Sequence, residues 1–318
     1  MHLMRWSAAI ENWHRIHYDL TFAVEHDRLP GLLINGSWKQ HILVQMLKAW
    51  IGPRGWVGSL EFQYRSADIC GDTITAFGEV TGRGTPEFVD ETYCSIGLKN
   101  QRGEVSTIGS ATVHLPGPRG VSAKERSVAR LPRMTIAQAP RASAHLSEQV
   151  LARIGIPGTR VFAPEPVDLS SVRRLAQAIM DDDPIYFDEG AAKEAGFESV
   201  VAPPLFPLHM HRRHPGSPDP FDEAVAAPEN DGAGDVIAKH GLPPLDIALP
   251  RLLNGGNQIW IRDLARIGDT LSSVSTITDL REKSGRSGPL VFVKIDTEYR
   301  AVNRDALLLR GRQTYIYR

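Results

Sequence analysis

His17-Tyr18-Asp19, then Phe22-Ala23, then Pro30-Gly31-Leu32-Leu33-Ile34-Asn35-Gly36 and, further on, Cys70-Gly71-Asp72-Thr73-Ile74: this order of short segments occurs twice in the chain. The second run reads Tyr186-Phe187-Asp188, Ala191-Ala192, Gly196-Phe197-Glu198-Ser199-Val200-Val201-Ala202-Pro203 and Ile267-Gly268-Asp269-Thr270-Leu271. In both runs an alanine stands four positions after the aspartate, and a Gly-Asp-Thr-aliphatic turn precedes strand-like alternation. Self-similarity on this scale points to a duplicated domain.

Working outward, the first copy carries strand signals at 58–65, where Leu60, Phe62 and Tyr64 alternate with polar neighbours, and at 73–80, after the turn at Gly71-Asp72. Segments 91–98 and 106–115 flank the turn residues Asn100-Gln101-Arg102-Gly103 and add two more strands. The second copy is expected to echo this at 257–261, 270–280, 290–299 and 307–317. One helix is expected early in each copy. In the first it spans 37–50, begins at Ser37 and presents Ile42, Leu43, Met46, Leu47 and Trp50 at helical spacing. Such a face must be buried, and a curved antiparallel sheet wrapped around the helix buries it. The expected fold class is therefore α+β. A first domain is expected at 1–115, a linker at 116–145 opening with Pro116-Gly117-Pro118-Arg119-Gly120, and a second domain at 146–318. Within the second domain, 212–248 is rich in Pro, Gly, Asp and Ala and reads as a long irregular loop, a kind of segment more often functional or disordered than neutral.

The 318 residues carry 36 Lys and Arg against 37 Asp and Glu, a net charge of −1, with 42% hydrophobic and 23% charged residues. That apolar content suffices for one large core or two ordinary ones, and it excludes disorder and collagen-like sequence. Balanced charge excludes attraction of the whole surface to nucleic acid or an anionic membrane. No apolar run approaches the roughly 20 residues that span a bilayer. The N-terminus intersperses Arg5, Glu11 and His14 with apolar residues and shows no signal-peptide core. A cytoplasmic protein is expected. Cys70 and Cys94 are too few for a disulfide framework and are expected to be core packing residues.

The order of these motifs resembles the MaoC-like hotdog-fold (R)-specific enoyl hydratases and dehydratases, and the resemblance covers nearly the whole chain apart from the linker and the long loop. It implies a double hotdog, each half a helix wrapped by an antiparallel sheet. The first half is most similar to the branch of mesaconyl-CoA hydratases and 3-hydroxyacyl-thioester dehydratases, through Asn12-Trp13-His14-Arg15-Ile16-His17-Tyr18-Asp19 and the stretch from Pro30-Gly31 to Gly36. The second half is similar to the non-catalytic hotdog of the same enzymes at Asp183-Pro184-Ile185-Tyr186, Ala202-Pro203-Pro204 and Gly285-Arg286-Ser287-Gly288-Pro289. That half ordinarily comes first, so the resemblance implies a swapped order.

Hydrating an enoyl thioester requires a base for water, a second polar group to hold that water, and a donor for the enolate-like oxygen. By position in the family motif, His17 is the catalytic histidine, and an imidazole titrating near neutrality can take and return a proton within one turnover. Asn12 stands where better-known members carry Asp. It can orient water but exchanges no proton readily, which leaves His17 as both base and acid. His14 stands where the wider family has Asn, and with Asp19 it is counted among residues near the substrate. Gly36 precedes the helix, so its N–H and the helix N-terminus can meet a substrate oxygen. In the second half Tyr186 replaces the histidine, and Pro203 and Pro204 have no N–H to offer. One working half and one substrate-holding half are implied.

The resemblance further implies acyl-CoA as the substrate, with an acyl carrier protein thioester behind it; Lys39, Arg65 and Arg286 are the candidates for its phosphates. No cofactor is required, because the thioester itself acidifies the α-carbon. A homo-oligomer is compatible with the reading. A lone histidine at a strand–helix junction is ordinarily structural, and only the flanking motif makes His17 catalytic. The run Asp181-Asp182-Asp183 is expected to be solvated or capping. His209, His211 and His214 are poorly spaced for zinc, and no metal site is expected. Two rivals remain: a hotdog thioesterase, and a non-catalytic acyl-thioester binder.

Overall fold

A computed structural model describes residues 1–85, 91–116, 131–210, 212–285 and 288–318. Most of the expected linker's first half, 117–130, and also His211 and Arg286, lie outside the described residues. The strands are β1 Trp56–Tyr64, β2 Thr75–Arg83, β3 Glu91–Lys99, β4 Val105–His114, β5 Val161–Phe162, β6 Leu252–Ile261, β7 Leu271–Gly285, β8 Gly288–Ala301 and β9 Ala306–Tyr317. The α-helices are α1 His2–Ile10, α2 Gly36–Ile51, α3 Glu148–Leu151, α4 Leu169–Ile179, α5 Glu189–Glu194 and α6 Pro220–Ala226.

All nine strands belong to one antiparallel sheet in the order β2-β3-β4-β1-β6-β9-β8-β7-β5. The two halves join where β1 pairs with β6, from Ser59 opposite Trp260 to Gln63 opposite Gly256. The Trp56 indole donates across this seam to the Ile261 carbonyl at 3.0 Å. Gly256 has φ of 141°, and a Cβ there would lie 2.3 Å from the Phe62 carbonyl oxygen, so only glycine lets the strands close at this point.

The duplication read from the sequence is visible bond by bond. His17 N–H donates to His14 O, Asp19 N–H to Arg15 O and Leu33 N–H to Ile16 O. The matching bonds run from Tyr186 to Asp183, Asp188 to Pro184 and Val201 to Ile185. Asp19 and Asp188 accept from the backbone N–H groups of Phe22 and Ala191, capping the next helical turn in each half. A helix also precedes each motif, α1 and α4, and the two pack together. Both end in a left-handed residue, Glu11 with φ 53° and Met180 with φ 58°.

The architecture is a double hotdog, but only one half keeps a full helix inside its sheet. Leu43, Val44, Leu47 and Ile51 of α2 are buried in the core with Leu60, Phe62, Ile96 and Leu98. Trp50, expected on that face, is 51% exposed, and Ile51 takes the inward place. In the second half the expected helix is reduced to a single 3₁₀ turn, Phe206–His209. Pro207 within it and Pro215, Pro218 and Pro220 after it cannot continue an α-helical ladder. The vacated face is covered instead by α3 and by the 212–248 segment. Leu146, Val150, Leu151, Ile237, Leu242 and Ile247 form a second core there with Ile277, Val293 and Ile295. The long irregular stretch is thus packed structure for part of its length. Cys94 is buried as expected, whereas Cys70 is exposed, because it lies in the turn before β2 and not in a strand. Among the described residues, no helix is long and apolar enough to cross a membrane.

Candidate active site

His17 closes a 3₁₀ turn, Arg15–His17, and is almost wholly buried. Its Nδ1 lies 2.9 Å from the Leu33 carbonyl oxygen. A carbonyl only accepts, so Nδ1 carries the hydrogen and Nε2 is left with the free lone pair. Burial, assisted by the neighbouring His14, lowers the imidazole pKa to about 4, with the Leu33 carbonyl opposing the shift. At neutral pH the ring is therefore an uncharged base of fixed tautomer.

The Leu33 bond also places His17 beside the start of α2. Asn35, the N-cap of that helix, is fully buried, yet its side chain caps nothing, and neither its amide nitrogen nor its oxygen has a hydrogen-bond partner among the described residues. The Asn35 carbonyl accepts from the N–H groups of Trp38 and Lys39. The N–H groups of Gly36 and Ser37 are left unbonded within the described residues, at the positive end of a helix 16 residues long. Gly36 has no room for a side chain: a Cβ would sit 2.9 Å from Cζ of Tyr64, whose hydroxyl donates to the Gly36 carbonyl at 2.6 Å.

The adjoining cavity has a volume of about 300 Å³ and lies between the halves. Asn12 and His14 line it from the first half, with Ser37 and Gln40 of α2. His17 is not among its walls; it stands behind His14, the two rings meeting edge to face at 5.5 Å. The Asn12 amide oxygen accepts from the His14 N–H at 3.1 Å, which leaves its NH₂ available. The His14 pKa is lowered, chiefly by burial, with Asp231 3.7 Å away opposing.

The segment 228–240 of the second half forms the opposite rim and is tied to the His17 turn. Arg15 N–H donates to Asp231 O at 2.7 Å, and the Arg15 guanidinium donates to the carbonyls of Pro228 and Asn230. The same guanidinium holds Asp19 through Nε and Nη2 at 3.0 and 2.8 Å. Asp19 is thus occupied as a cap and an ion-pair partner. Its pKa is lowered by the Phe22 N–H and by Arg15. Lys39 is buried, 3% exposed, in an ion pair at 2.5 Å with Asp68, itself 1% exposed. Its ammonium does not reach the surface where a phosphate would lie. Arg65 is exposed at the end of β1 and does not line the cavity.

The equivalent place in the second half is filled. Lys48, from the last turn of α2, lies 3.2 Å from Asp181 and 2.9 Å from Asp183, and it donates to the Tyr186 hydroxyl. Asp181 and Asp183, expected to be solvated or capping, in fact grip this lysine, although Asp183 also caps the following turn. Burial and the two carboxylates hold the Tyr186 phenol well above its ordinary pKa, so it stays protonated. Among the described residues no group of three His, Cys, Asp or Glu could hold a metal ion.

Sequence reasoning missed Arg15, Asn35 and Lys48, and also the contact between the buried His41 and the half-buried His209, whose Nε2 atoms are 2.9 Å apart across the two halves. It also missed the amides on the cavity's sheet wall, Asn257 and Gln313. The run Arg310-Gly311-Arg312-Gln313-Thr314 inside an otherwise apolar strand was the available signal for the last of these.

Comparison with known proteins agrees with this architecture. Residues 1–72 match the family model "Hydroxyacyl-thioester dehydratase type 2", and residues 158–307 match "FAS1-like, dehydratase domain region". A UPF0336 protein of Thermobifida fusca is 32% identical over 153 residues, which are 46% of this chain and 87% of that one. The chain belongs to the MaoC-like double-hotdog dehydratases and groups with the UPF0336 proteins. Mesaconyl-C(4)-CoA hydratase of Chloroflexus aurantiacus is 32% identical over 94 residues, 29% of this chain and 32% of the hydratase. In fold, the chain is similar to a solved MaoC-like dehydratase with a TM-score of 0.57 at 13% identity, over 100% of this chain and 93% of that one. These family members set the chemistry to be weighed as acyl-thioester hydration and dehydration.

Proposed function

We propose that this MaoC-like protein is a cytoplasmic hydro-lyase that adds water reversibly to a 2-enoyl thioester, or removes it from an (R)-3-hydroxyacyl thioester, with CoA as the carrier ahead of acyl carrier protein. The domain with residues 1–115 does the chemistry and the domain with residues 146–318 holds the acyl group, the halves standing in swapped order. The observation that carries the reading is the Leu33 carbonyl bond. It fixes a neutral His17 with Nε2 free, next to a helix start with two unbonded N–H groups.

In hydration, His17 Nε2 takes a proton from water while the oxygen bonds to C3 of the enoyl group. The π electrons shift toward the thioester oxygen, which the Gly36 N–H and the α2 N-terminus stabilise. Returning a proton from the imidazolium to C2 completes the addition, so one ring serves as base and acid. Asn12 orients the water through its free NH₂, and His14 contributes to the wall beside it. Arg65 and Arg286 are kept as partners for the carrier's phosphates. Asp19 and Lys39 act at a remove, through Arg15 and Asp68.

Incubation with crotonyl-CoA tests the assignment. Loss of the conjugated-enoyl absorbance without release of thiol is expected. Thiol release would mark a thioesterase, and neither change a binder. The variant His17→Ala should lose at least ~10²-fold in rate; near-wild-type turnover in that variant, correctly folded, refutes the proposed base.

A further inference from the structure

The volume that α2 fills in the first half is partly empty in the second, and beside Leu208, Val236 and Ile259 the wall it exposes carries a polar stripe. On β6, β8 and β9 the cavity is faced by Asn257, Thr297, Gln313 and Tyr315. The sheet register sets Asn257 directly opposite Gln313. The Asn257 NH₂ donates to Gln40 Oε1 at 3.0 Å, while its Oδ1 is buried with no hydrogen-bond partner among the described residues. The Gln313 amide makes no hydrogen bond to any described residue, although it lines the same space. A buried amide oxygen without a partner is costly to keep, and an alkyl chain laid against the half-buried Gln313 amide would strip its water and return nothing.

Two further observations narrow the ligand. The cations near this wall are already engaged: Arg312 grips Asp296 through Nε and Nη2 at 2.6 and 2.8 Å, and Lys239 donates to the Ala233 carbonyl at 3.0 Å. The Glu11 carboxylate, also in the lining, accepts from the Arg213 N–H at 2.7 Å, and the groups left to bind on the sheet wall are neutral amides. In addition, Gly311 opens the centre of the wall. A Cβ there would find its nearest atoms, Leu208 Cδ2 and Tyr299 Cε2, at 3.8 and 3.9 Å, so no clash demands glycine and its absent side chain is simply room. A cavity of about 300 Å³ holds ~10 water-sized groups at about 30 Å³ each, enough for a short acyl group and not for a long chain.

We infer that this cavity receives the distal end of a short acyl group bearing a neutral hydrogen-bonding substituent, a hydroxyl or carbonyl, which Gln313 and Asn257 recognise. The inference takes the position of the thioester from the hydratase reading but can be measured without turnover.

Saturated thioesters have no double bond to hydrate, so their equilibrium binding reports the cavity alone. Calorimetric titration of the full chain with hexanoyl-CoA, 6-hydroxyhexanoyl-CoA and adipoyl-CoA should show the hydroxyacyl form binding ~10-fold tighter than hexanoyl-CoA. Gln313→Leu should abolish or invert that ratio. Gly311→Val, which fills the cavity from an unstrained strand position, should weaken the hydroxyacyl form by ~10-fold. Hexanoyl-CoA binding as tightly, adipoyl-CoA binding tightest, a ratio untouched in Gln313→Leu, or no binding of any of the three overturns the inference. Were crotonyl-CoA to remain unhydrated while the binding ratio held, the hydratase chemistry would fall and the polar cavity would stand; hydration with a ratio of one does the reverse.

Discussion

The pH dependence of the His17 site follows from its burial. The ring has its pKa lowered from 6.5 to about 4, because the charged form is poorly solvated where it lies. The native state therefore binds fewer protons than the unfolded chain between those values. The associated stability is fully present above pH 6.5 and is lost as pH falls toward 4. At about 1.36 kcal/mol per unit, the loss amounts to ~3 kcal/mol from this one residue. Catalysis should track the same group. At pH 5.5 a base of ordinary pKa would be only about 10% neutral, whereas one with pKa about 4 stays about 97% neutral. The assay is kcat/KM for crotonyl-CoA from pH 4.5 to 8, which reports the free enzyme's base. It should stay within about 20% of its plateau at pH 5.5. Denaturant unfolding at pH 7.5 and 4.5 should show wild type losing about 2.5 kcal/mol more than His17→Gln, which has no proton to gain. A tenfold fall in kcat/KM at pH 5.5, or equal acid sensitivity of the two proteins, would refute the reasoning.

Three other outcomes follow from the geometry. Lys39→Met breaks a fully buried ion pair and should cost about 3–5 kcal/mol in denaturant unfolding, most of it recovered in Lys39→Met/Asp68→Leu; a KM for CoA thioesters raised in the folded fraction would instead make Lys39 a phosphate ligand. Gly36→Ala drives a methyl into the Tyr64 ring and should cost about 1–3 kcal/mol and lower kcat, with Gly36→Ala/Tyr64→Leu regaining the stability; wild-type thermal stability in Gly36→Ala would show that the ring yields freely. Placing a histidine in the second half, Tyr186→His in a His17→Ala background, should restore no measurable hydration, because Lys48 fills that place and Pro203-Pro204 offers no donor; recovered turnover would contradict this.

The strands were legible because alternation and turn residues are local signals. Predicted 290–299 and observed Gly288–Ala301 differ only at the ends, as do 307–317 and Ala306–Tyr317. The helix of the second half was not: the repeat implies one, but Pro207 limits that stretch to the 3₁₀ turn Phe206–His209. Helix α1 was missed because Leu3 and Trp6 bury only one short face, against an α4 that is remote in sequence. At the site, the motif located His17 and the start of α2. The sequence did not reveal that Lys39 would meet Asp68, or that Arg15 would reach Pro228 and Asn230, since each partner is brought near only by tertiary closure. Lys39, expected at the carrier's phosphates, is accordingly a buried partner of Asp68.

Helix α2 links the fates of the two halves. Its first turn leaves N–H groups unbonded beside His17, while its last turn sends Lys48 into the mirror-image position of the other half. One helix cannot run through both sheets, so where the second half lost its own helix, the space divided. The far part was closed by Ile237, Leu242 and Ile247 from the 212–248 segment, and the near part stayed open as the cavity beside Asn12 and His14. The same segment then turns back to bind Arg15, so the chain that replaces the helix also holds the His17 turn in place. The asymmetry is therefore more than the loss of a histidine. Where the second half has no full helix a cavity remains, and the segment that covers the rest of that face also braces the His17 turn of the first half.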